Sequence, residues 1–567
     1  MTPDTELTPQ APRESEQSWA GVSLVVTCLA FVTFTVWRDA GSYGHVFADE
    51  RTYSYYARLM PASESPVPSF LYLWLFKATN ACGEGWLSCA RLLNALLYAG
   101  ALPLIYAVCR RHASARSAAV IVAATALSPL SSYTAYFMPE ATYFFGAWVL
   151  IWFISGQWPR GRRFPLVVGV VLGLLVLVKM HAFFLAPAVG LFVLLEGWRQ
   201  GGPAHRFREA ILSLVLLIGA ASLVRFGVGW LLAGPKGLHV LGNVYGEQAA
   251  TGSQSMAKVI AGLWQPLGGH LQALALLFAV PLAAMLTLSR LRSSSPPGAR
   301  VDGLRRLQGL LLLLLVPPLL TAVLFTAKIT GEGTYELAGR LHLRYYNFLF
   351  PLLLIVAAAQ ADHQAPERRR FSPWVLFPAL LVGGFGVYAI VEGIRFMLPV
   401  ITDCPELRGI TRERPIFLVC AAVGLGALAA WAFSPRLGSR LYLFVALPVV
   451  TLSSACVISG ELRELQKPPV CDVAATVTRR FLGPEGVENV QVVIAEPVGG
   501  YRALFVLSNQ TGSFIERPEG STVERPAPPK DWLLLIGNYV VTEPHKVMLK
   551  GDGYSLVHLE PPAAVAP

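Results

Sequence analysis

Apolar stretches of about twenty residues recur along the chain from residue 19 to residue 458. Stretches of this length cross the hydrocarbon core of a bilayer as helices, because a helix satisfies its own backbone hydrogen bonds in lipid. The pattern predicts an α-helical polytopic membrane protein with about thirteen transmembrane helices. The first stretch, residues 20–37, follows a polar leader without a basic segment or a clear cleavage site. We therefore interpret it as a retained helix rather than a signal peptide.

The polarity of the chain changes after about residue 460. A helical stretch at 472–482 precedes strand-like runs at 490–494, 503–507, 532–536 and 554–559, which Pro and Gly separate. We predict three parts: a cytoplasmic leader at 1–18, a transmembrane domain at 19–460, and a small α/β domain at 461–567.

The distribution of charge predicts how the chain crosses the membrane. Of the 567 residues, only 14% are charged, and the net charge is +11. Most of the basic residues are arginines in short loops, and two apolar stretches separate each basic loop from the next. The positive-inside rule places these loops and the N-terminus in the cytoplasm and the C-terminal domain outside. We therefore expect the inner, or cytoplasmic, membrane as the location, with membrane lipids and no nucleic acid as partners.

Four cysteines fall on the predicted outer side, where disulfides persist: Cys82, Cys89, Cys404 and Cys471. We expect a disulfide between Cys82 and Cys89, which are close together in the sequence. A Cys404–Cys471 bond would tie the C-terminal domain to an outer loop, but spacing alone does not decide the pairing.

Carboxylates in the outer loops are the first candidates for chemistry. Asp49 and Glu50 follow the first helix, and Glu140 opens a later one. Such groups serve as a general base or as ligands of a divalent ion. The alternatives are a solvated acidic pair and a carboxylate that the helix dipole favours.

Cationic and aromatic side chains in the same loops predict a phosphate and sugar site. Lys179 and His181 interrupt an apolar stretch, and Arg340, His342, Arg344 and Tyr345 stand close together near residue 351. We expect the latter segment to open a helix with both arginines on one face. A snorkelling lysine and an interfacial Tyr/Arg belt are the alternatives.

Several short motifs resemble those of GT-C glycosyltransferases, especially bacterial lipid A aminoarabinose transferases and protein O-mannosyltransferases. They are the Asp49–Tyr53 run, Ala90–Asn94, Met138–Glu140, Leu177–Lys179 and Arg344-Tyr345 with Pro351. The long Trp/Pro-rich first loop of the aminoarabinose enzymes is missing, which puts their particular substrate in doubt. Walker, dinucleotide, zinc-finger and nucleophile-elbow motifs are absent from the sequence.

The resemblance implies a GT-C fold and transfer of a sugar from a polyprenyl-phosphate donor, usually with inversion. The acceptor would be a hydroxyl of an envelope glycan, lipid or protein. Asp49 would be the general base, and Glu50 or Glu140 would position it, the acceptor or a divalent ion. Lys179, Arg340 and Arg344 would hold the donor phosphate, and Tyr345 would contact phosphate or sugar. The resemblance assigns no role to His181 or His342. No cofactor is certain, and a divalent cation stays open.

Two other classes of function also suit a chain with many helices and intramembrane charges. One is a transporter or flippase of a lipid-linked sugar, which usually carries internal repeats that this sequence lacks. The other is an envelope scaffold, whose outer charges would tolerate substitution.

Overall fold

The computed structural model describes residues 14–44, 47–156, 161–200, 205–240, 256–287, 299–331, 336–363, 373–392, 397–464, 466–510 and 512–560. Up to residue 464 its regular elements are helices. In chain order they are α1 Glu14–Asp39, α2 Phe47–Arg58, α3 Phe70–Lys77, α4 Trp86–Arg110, α5 Ala115–Leu127, α6 Glu140–Ser155, α7 Arg163–Val178, α8 Ala186–Gln200, α9 Arg206–Ala233, α10 Met256–Gly262, α11 Trp264–Leu286, α12 Ala299–Ile329, α13 Phe350–His363, α14 Pro373–Val391, α15 Pro405–Thr411, α16 Arg414–Phe433, α17 Pro435–Leu441 and α18 Leu447–Glu464.

The described residues form a multi-pass helical membrane domain. Nine of their helices are long and apolar enough to cross a membrane, or ten if α5 and the turn after it, which bend by 46°, form one span. Three shorter apolar helices, among them α6 and α7, fall below that length. The multi-pass architecture is therefore confirmed, whereas the count of thirteen spans and the domain boundaries stay predictions.

Close contact between α7 and α9 fixes the end of α7. A Cβ on Gly169 would lie 2.4 Å from the Leu217 carbonyl oxygen, and one on Gly173 would lie 2.7 Å from the Ala221 carbonyl oxygen. Only glycine allows this approach, as is common between helices in membranes. The lysine that follows α7 is thereby held at a defined position relative to α9.

A buried arginine of α4 joins two loops near the candidate site. Arg91 is 6% exposed and donates hydrogen bonds to the carbonyl oxygens of Ala135, at 2.9 Å, and Ser42, at 2.7 Å. Hydrogen bonds from a charged donor are stronger than those between neutral groups. Arg91 therefore fixes the loop before α2 relative to the loop before α6.

The C-terminal region is a small α/β domain. Its elements are α19 Val470–Gly486, β1 Val490–Ile494, α20 Pro497–Leu507, β2 Phe514–Glu516, β3 Thr522–Val523, β4 Trp532–Ile536, β5 Val540–Val541, β6 His545–Gly551 and β7 Tyr554–Leu559. The main sheet has the order β2-β1-β4-β7-β6, with β1 parallel to β2 and β4 and with antiparallel β4–β7 and β7–β6 pairs. All five residues of β1 are buried, as expected for a central parallel strand.

Most of the elements predicted for this domain are confirmed, and one is wrong. The helix near 472–482 and the strands at 490–494, 532–536 and 554–559 are present. Residues 503–507, which we predicted as a strand, form the end of α20. Pro497 stands in its first turn, where proline favours a helix, and a short apolar run alone does not distinguish a strand from a buried helix.

The structure distinguishes the two cysteine pairings that the sequence allows. A disulfide joins Cys82 and Cys89, so the local expectation is confirmed. Cys404 and Cys471 are both buried and free, so the second possible bond is not formed. Cys404 lies in the turn before α15 and Cys471 lies in α19, so each packs within its own domain.

Helix α2 lies between the membrane domain and the C-terminal domain. Its buried face packs on the membrane domain through Tyr53, whose ring contacts Tyr72 edge-on at 5.4 Å. The neighbouring face meets the C-terminal domain, because Arg51 donates to the Gly512 carbonyl oxygen at 2.6 Å and Arg58 to the Ser508 hydroxyl at 3.3 Å. Helix α2 is thus held from two sides.

A buried carboxyl group without a hydrogen-bonding partner among the described residues lies in α15. Both Glu406 carboxyl oxygens lack such a partner, and the side chain lines a cavity of about 50 Å³ whose walls include Phe278, Phe350 and Val450. Burial raises the pKa of Glu406 from its ordinary value of 4.5 to about 8, because an apolar environment disfavours the charged form.

Replacing Glu406 with glutamine is expected to remove a pH dependence of stability. Since the folded protein holds this proton up to about pH 8 and an unfolded chain releases it near pH 4.5, the wild type loses stability as the pH rises between these values. The slope for one proton is about 1.4 kcal/mol per pH unit. Thermal unfolding in detergent at pH 5 and pH 8 would measure it. Equal pH dependence in wild type and Glu406→Gln would contradict the burial argument.

Candidate active site

The first turn of α2 presents two carboxylates in different environments. The Asp49 side chain is 46% exposed, whereas Glu50 is fully buried and accepts a hydrogen bond from the Phe137 backbone N–H at 2.7 Å. Glu50 therefore joins α2 to the loop before α6. Asp49 is the one of the two that a substrate in solvent reaches.

A buried ion pair connects α6 with the end of α7. Lys179 Nζ donates to Glu140 Oε1 at 2.8 Å, and both side chains are 4% exposed. Glu140 is the first residue of α6, and Lys179 follows α7 with an extended backbone. Nζ also lies 5.6 Å from the centre of the Tyr143 ring. The pair places one negative and one positive group side by side in the protein interior, where removing either is costly.

Arg344 stands among three carboxylates. Its Nη1 donates to Asp49 Oδ2 at 3.2 Å and lies 4.0 Å from Glu140 Oε1, and its Nε lies 3.0 Å from Asp403 Oδ1. Burial alone would lower the pKa of this guanidinium, but Asp403, Asp49 and Glu140 hold it well above its ordinary value. Arg344 is therefore a permanent cation beside the exposed Asp49.

The segment that carries both arginines is not a helix, so our prediction of a shared helical face is wrong. Arg340 forms a single β-bridge with Leu398, residues Leu343–Tyr345 form one 3₁₀ turn, and α13 begins only at Phe350. The two arginines nevertheless meet at one carboxylate, because Arg340 Nε donates to Asp403 Oδ2 at 2.8 Å.

The two histidines and the tyrosine lie behind the charged groups. The His181 and Tyr345 rings meet edge-on at 4.2 Å, and both residues are buried. His342 Nδ1 is 3.0 Å from the Thr326 hydroxyl. Burial lowers the pKa of His342 from 6.5 to about 4, so this ring is neutral at pH 7 and adds no positive charge for a phosphate.

The carboxylates do not gather around a common centre that suits a metal ion. Within the described ranges, no group of three or more His, Cys, Asp or Glu side chains is placed to hold one. Instead Asp49, Glu140 and Asp403 each pair with a cationic side chain. In the described residues these carboxylates are therefore placed as partners of cations rather than as a shared set of ligands for a divalent ion.

The structure thus brings Asp49, Glu140, Lys179 and Arg344 together, with Arg340 joined through Asp403. Asp403 is not among the residues predicted from the sequence, since one acidic residue in a predicted loop carries no signal of burial. The one indication in the sequence is its position directly before Cys404 and the proline that starts α15. The fold and the site together define a class of protein. Its members have a polytopic helical domain with a cluster of carboxylate, lysine and arginine side chains, next to a small α/β domain.

Comparison with known families agrees with this class. Residues 66–226 match the model of the dolichyl-phosphate-mannose-protein mannosyltransferase family. The resemblance to GT-C glycosyltransferases that we inferred from the short motifs is therefore confirmed. The matched segment contains Glu140 and Lys179 and ends before Arg344. No curated protein matches the chain.

Solved structures with a similar chain course include archaeal oligosaccharyltransferases from Archaeoglobus fulgidus. AglB in complex with an inhibitory peptide and a dolichol-phosphate is 11% identical with a TM-score of 0.47, and the alignment covers 92% of this chain and 69% of AglB. The enzyme tethered to an acceptor peptide is 13% identical with a TM-score of 0.45, over 89% and 64% of the two chains. Similarity this distant supports no inference about activity.

Proposed function

We propose that this protein is a membrane glycosyltransferase that moves a sugar from a polyprenyl-phosphate donor to an acceptor hydroxyl. The observation that carries the proposal is the pairing of the exposed Asp49 carboxylate with the Arg344 guanidinium, 3.2 Å apart. A base and a phosphate-binding cation side by side are the two groups that such a transfer needs. The family match over 66–226 supports the same reaction class.

In the proposed reaction the acceptor oxygen attacks the anomeric carbon of the donor sugar. A new carbon–oxygen bond forms as the bond to the donor phosphate breaks, and the configuration inverts. The acceptor proton passes to the Asp49 carboxylate, which acts as general base. Polyprenyl phosphate leaves with one more negative charge, which Arg344 and Lys179 stabilise.

The remaining candidate residues take supporting roles in this proposal. Glu50 fixes the first turn of α2 through its hydrogen bond to Phe137, and Glu140 holds Lys179 at the site. Tyr345 and His181 form an aromatic wall. Arg340 is 20% exposed and would meet the outer part of the donor headgroup. His342 packs behind it as a neutral ring.

We place the reaction on the outer face of the cytoplasmic membrane. The arginine-rich loops lie on the opposite side in the positive-inside arrangement, and the disulfide between Cys82 and Cys89 is typical of an oxidising compartment. The acceptor would be an envelope glycan, lipid or protein. A divalent cation stays open as a cofactor, and assays with EDTA or added Mg²⁺ would decide it.

Transfer of labelled sugar by the purified protein tests this function. Liposomes would contain radiolabelled polyprenyl-phosphate sugars extracted from the source membranes, together with a delipidated envelope fraction as acceptor. The expected result is label in the acceptor fraction and free polyprenyl phosphate in equal amounts. Movement of intact donor between leaflets without consumption would instead identify the flippase that the sequence analysis kept as an alternative.

A further inference from the structure

We propose that Asp403 is a positioning residue that anchors Arg344 from its buried side, so that Arg344 Nη1 exchanges from Asp49 to the donor phosphate. This inference rests on the proposed function and adds to it an order of events. The resting site holds its base in an ion pair, and arrival of the donor releases that base.

The contacts of Arg344 divide into a buried anchor and an exposed contact. Asp403 is 0% exposed and lies 3.0 Å from Nε, and its carbonyl oxygen accepts a hydrogen bond from the Arg344 backbone N–H at 2.9 Å. Asp49 is 46% exposed and meets Nη1. Water and ligands reach the second contact but not the first, so Asp49 is the partner that exchanges.

Asp403 itself is held in place by a second arginine and lies near a neutral histidine. Arg340 donates to its second oxygen at 2.8 Å, and His342 Nε2 lies 4.0 Å from the same oxygen. Burial alone would raise the pKa of Asp403, but the charges of Arg344 and Arg340 hold it below its ordinary value. The anchor is therefore negatively charged at neutral pH.

Electrostatics explain why an anchor is needed at this point. Without Asp403, the remaining anionic neighbours of Arg344 among the described residues are Asp49 at 3.2 Å and Glu140 at 4.0 Å. Both act on Nη1, so the guanidinium would be drawn toward them and away from its present position. A donor phosphate would then have to compete with the Asp49 and Glu140 carboxylates for an Arg344 guanidinium that has moved from its binding position.

The exchange predicts an unusual behaviour of Asp49→Asn. Because Asp49 competes with phosphate for Nη1, the variant should bind polyprenyl phosphate several times more tightly than wild type, although its kcat for sugar transfer falls by about 10²–10⁴-fold. The side chain is half exposed, so the change is compatible with folding. Binding would be measured with fluorescent polyprenyl phosphate in detergent micelles. Unchanged or weaker binding would overturn the exchange.

A double-mutant cycle tests the anchor. Asp403→Asn should raise the KM for donor about tenfold and change kcat and the acceptor KM by less than threefold, because saturating donor still displaces Asp49. In the background of Arg344→Gln, adding Asp403→Asn should weaken polyprenyl phosphate binding no further. The matched cycle with Arg340→Gln should show a smaller coupling, because Arg340 contacts Asp403 but also has a second partner in Glu336 at 2.9 Å.

The outcomes separate this inference from the proposed function. Additive losses in the Arg344 cycle would mean that Asp403 acts on folding alone, and the inference would be wrong even if wild type transfers sugar. If Asp403→Asn does not fold, the binding result for Asp49→Asn still decides the exchange. Wild-type protein that neither binds polyprenyl phosphate nor transfers sugar would overturn both proposals.

Discussion

Replacing Asp49 with asparagine is expected to lower kcat for sugar transfer by about 10²–10⁴-fold, the range that general-base catalysis contributes. The asparagine keeps the shape of the side chain but does not accept the acceptor proton. Since Asp49 is half exposed and other residues of α2 hold the helix, thermal unfolding should be unchanged. Initial rates with saturating donor and acceptor would measure the effect.

Asp552→Asn is a matched control for this experiment. Asp552 lies in the exposed turn between β6 and β7, where the same chemical change removes a carboxylate without touching the site. Its activity should equal that of wild type. Transfer by Asp49→Asn at more than a tenth of the wild-type rate would remove Asp49 from the role of base and would favour a carboxylate elsewhere.

Replacing Glu140 with glutamine, or Lys179 with methionine, is expected to destabilise the protein and to abolish transfer. Either change leaves a charge buried without its partner, which costs about 3–5 kcal/mol. Thermal unfolding in detergent and transfer assays would measure the two effects. Arg344 stays near Glu140, at 4.0 Å, so Lys179→Met should be the milder of the two for stability.

The double variant Glu140→Gln with Lys179→Met separates stability from activity. Because both charges are removed together, its unfolding temperature should exceed that of the less stable single variant, since a neutral pair of similar volume is often tolerated. Transfer should stay low, because the donor phosphate lacks Lys179. A double variant that is both stable and fully active would exclude Lys179 from phosphate binding.

How far the sequence predicts this site depends on the element that carries each residue. Glu140 and Lys179 stand at the ends of apolar helices, where a charge that interrupts hydropathy is visible in the sequence, and they form an ion pair. Asp49 and Glu50 were predicted in a loop, but they occupy the first turn of α2, a short polar helix with no hydropathy signal.

The rest of the site depends on tertiary packing, which the sequence alone does not reveal. Arg340 and Arg344 have helical spacing, yet the backbone around them is irregular, and they meet only because Asp403 lies between them. No local pattern joins residues about sixty positions apart. The same limit explains the error at 503–507, where a short apolar run that packs with buried residues of the sheet is a helix.

The packing of α2 on two domains has an evolutionary consequence. Tyr53 faces the membrane domain, Arg51 and Arg58 face the C-terminal domain, and Asp49 faces Arg344. Substitutions along this helix would disturb a domain boundary and the reacting groups together, so related sequences should vary little here. Divergence in acceptor preference should instead accumulate in segments that do not pack on α2.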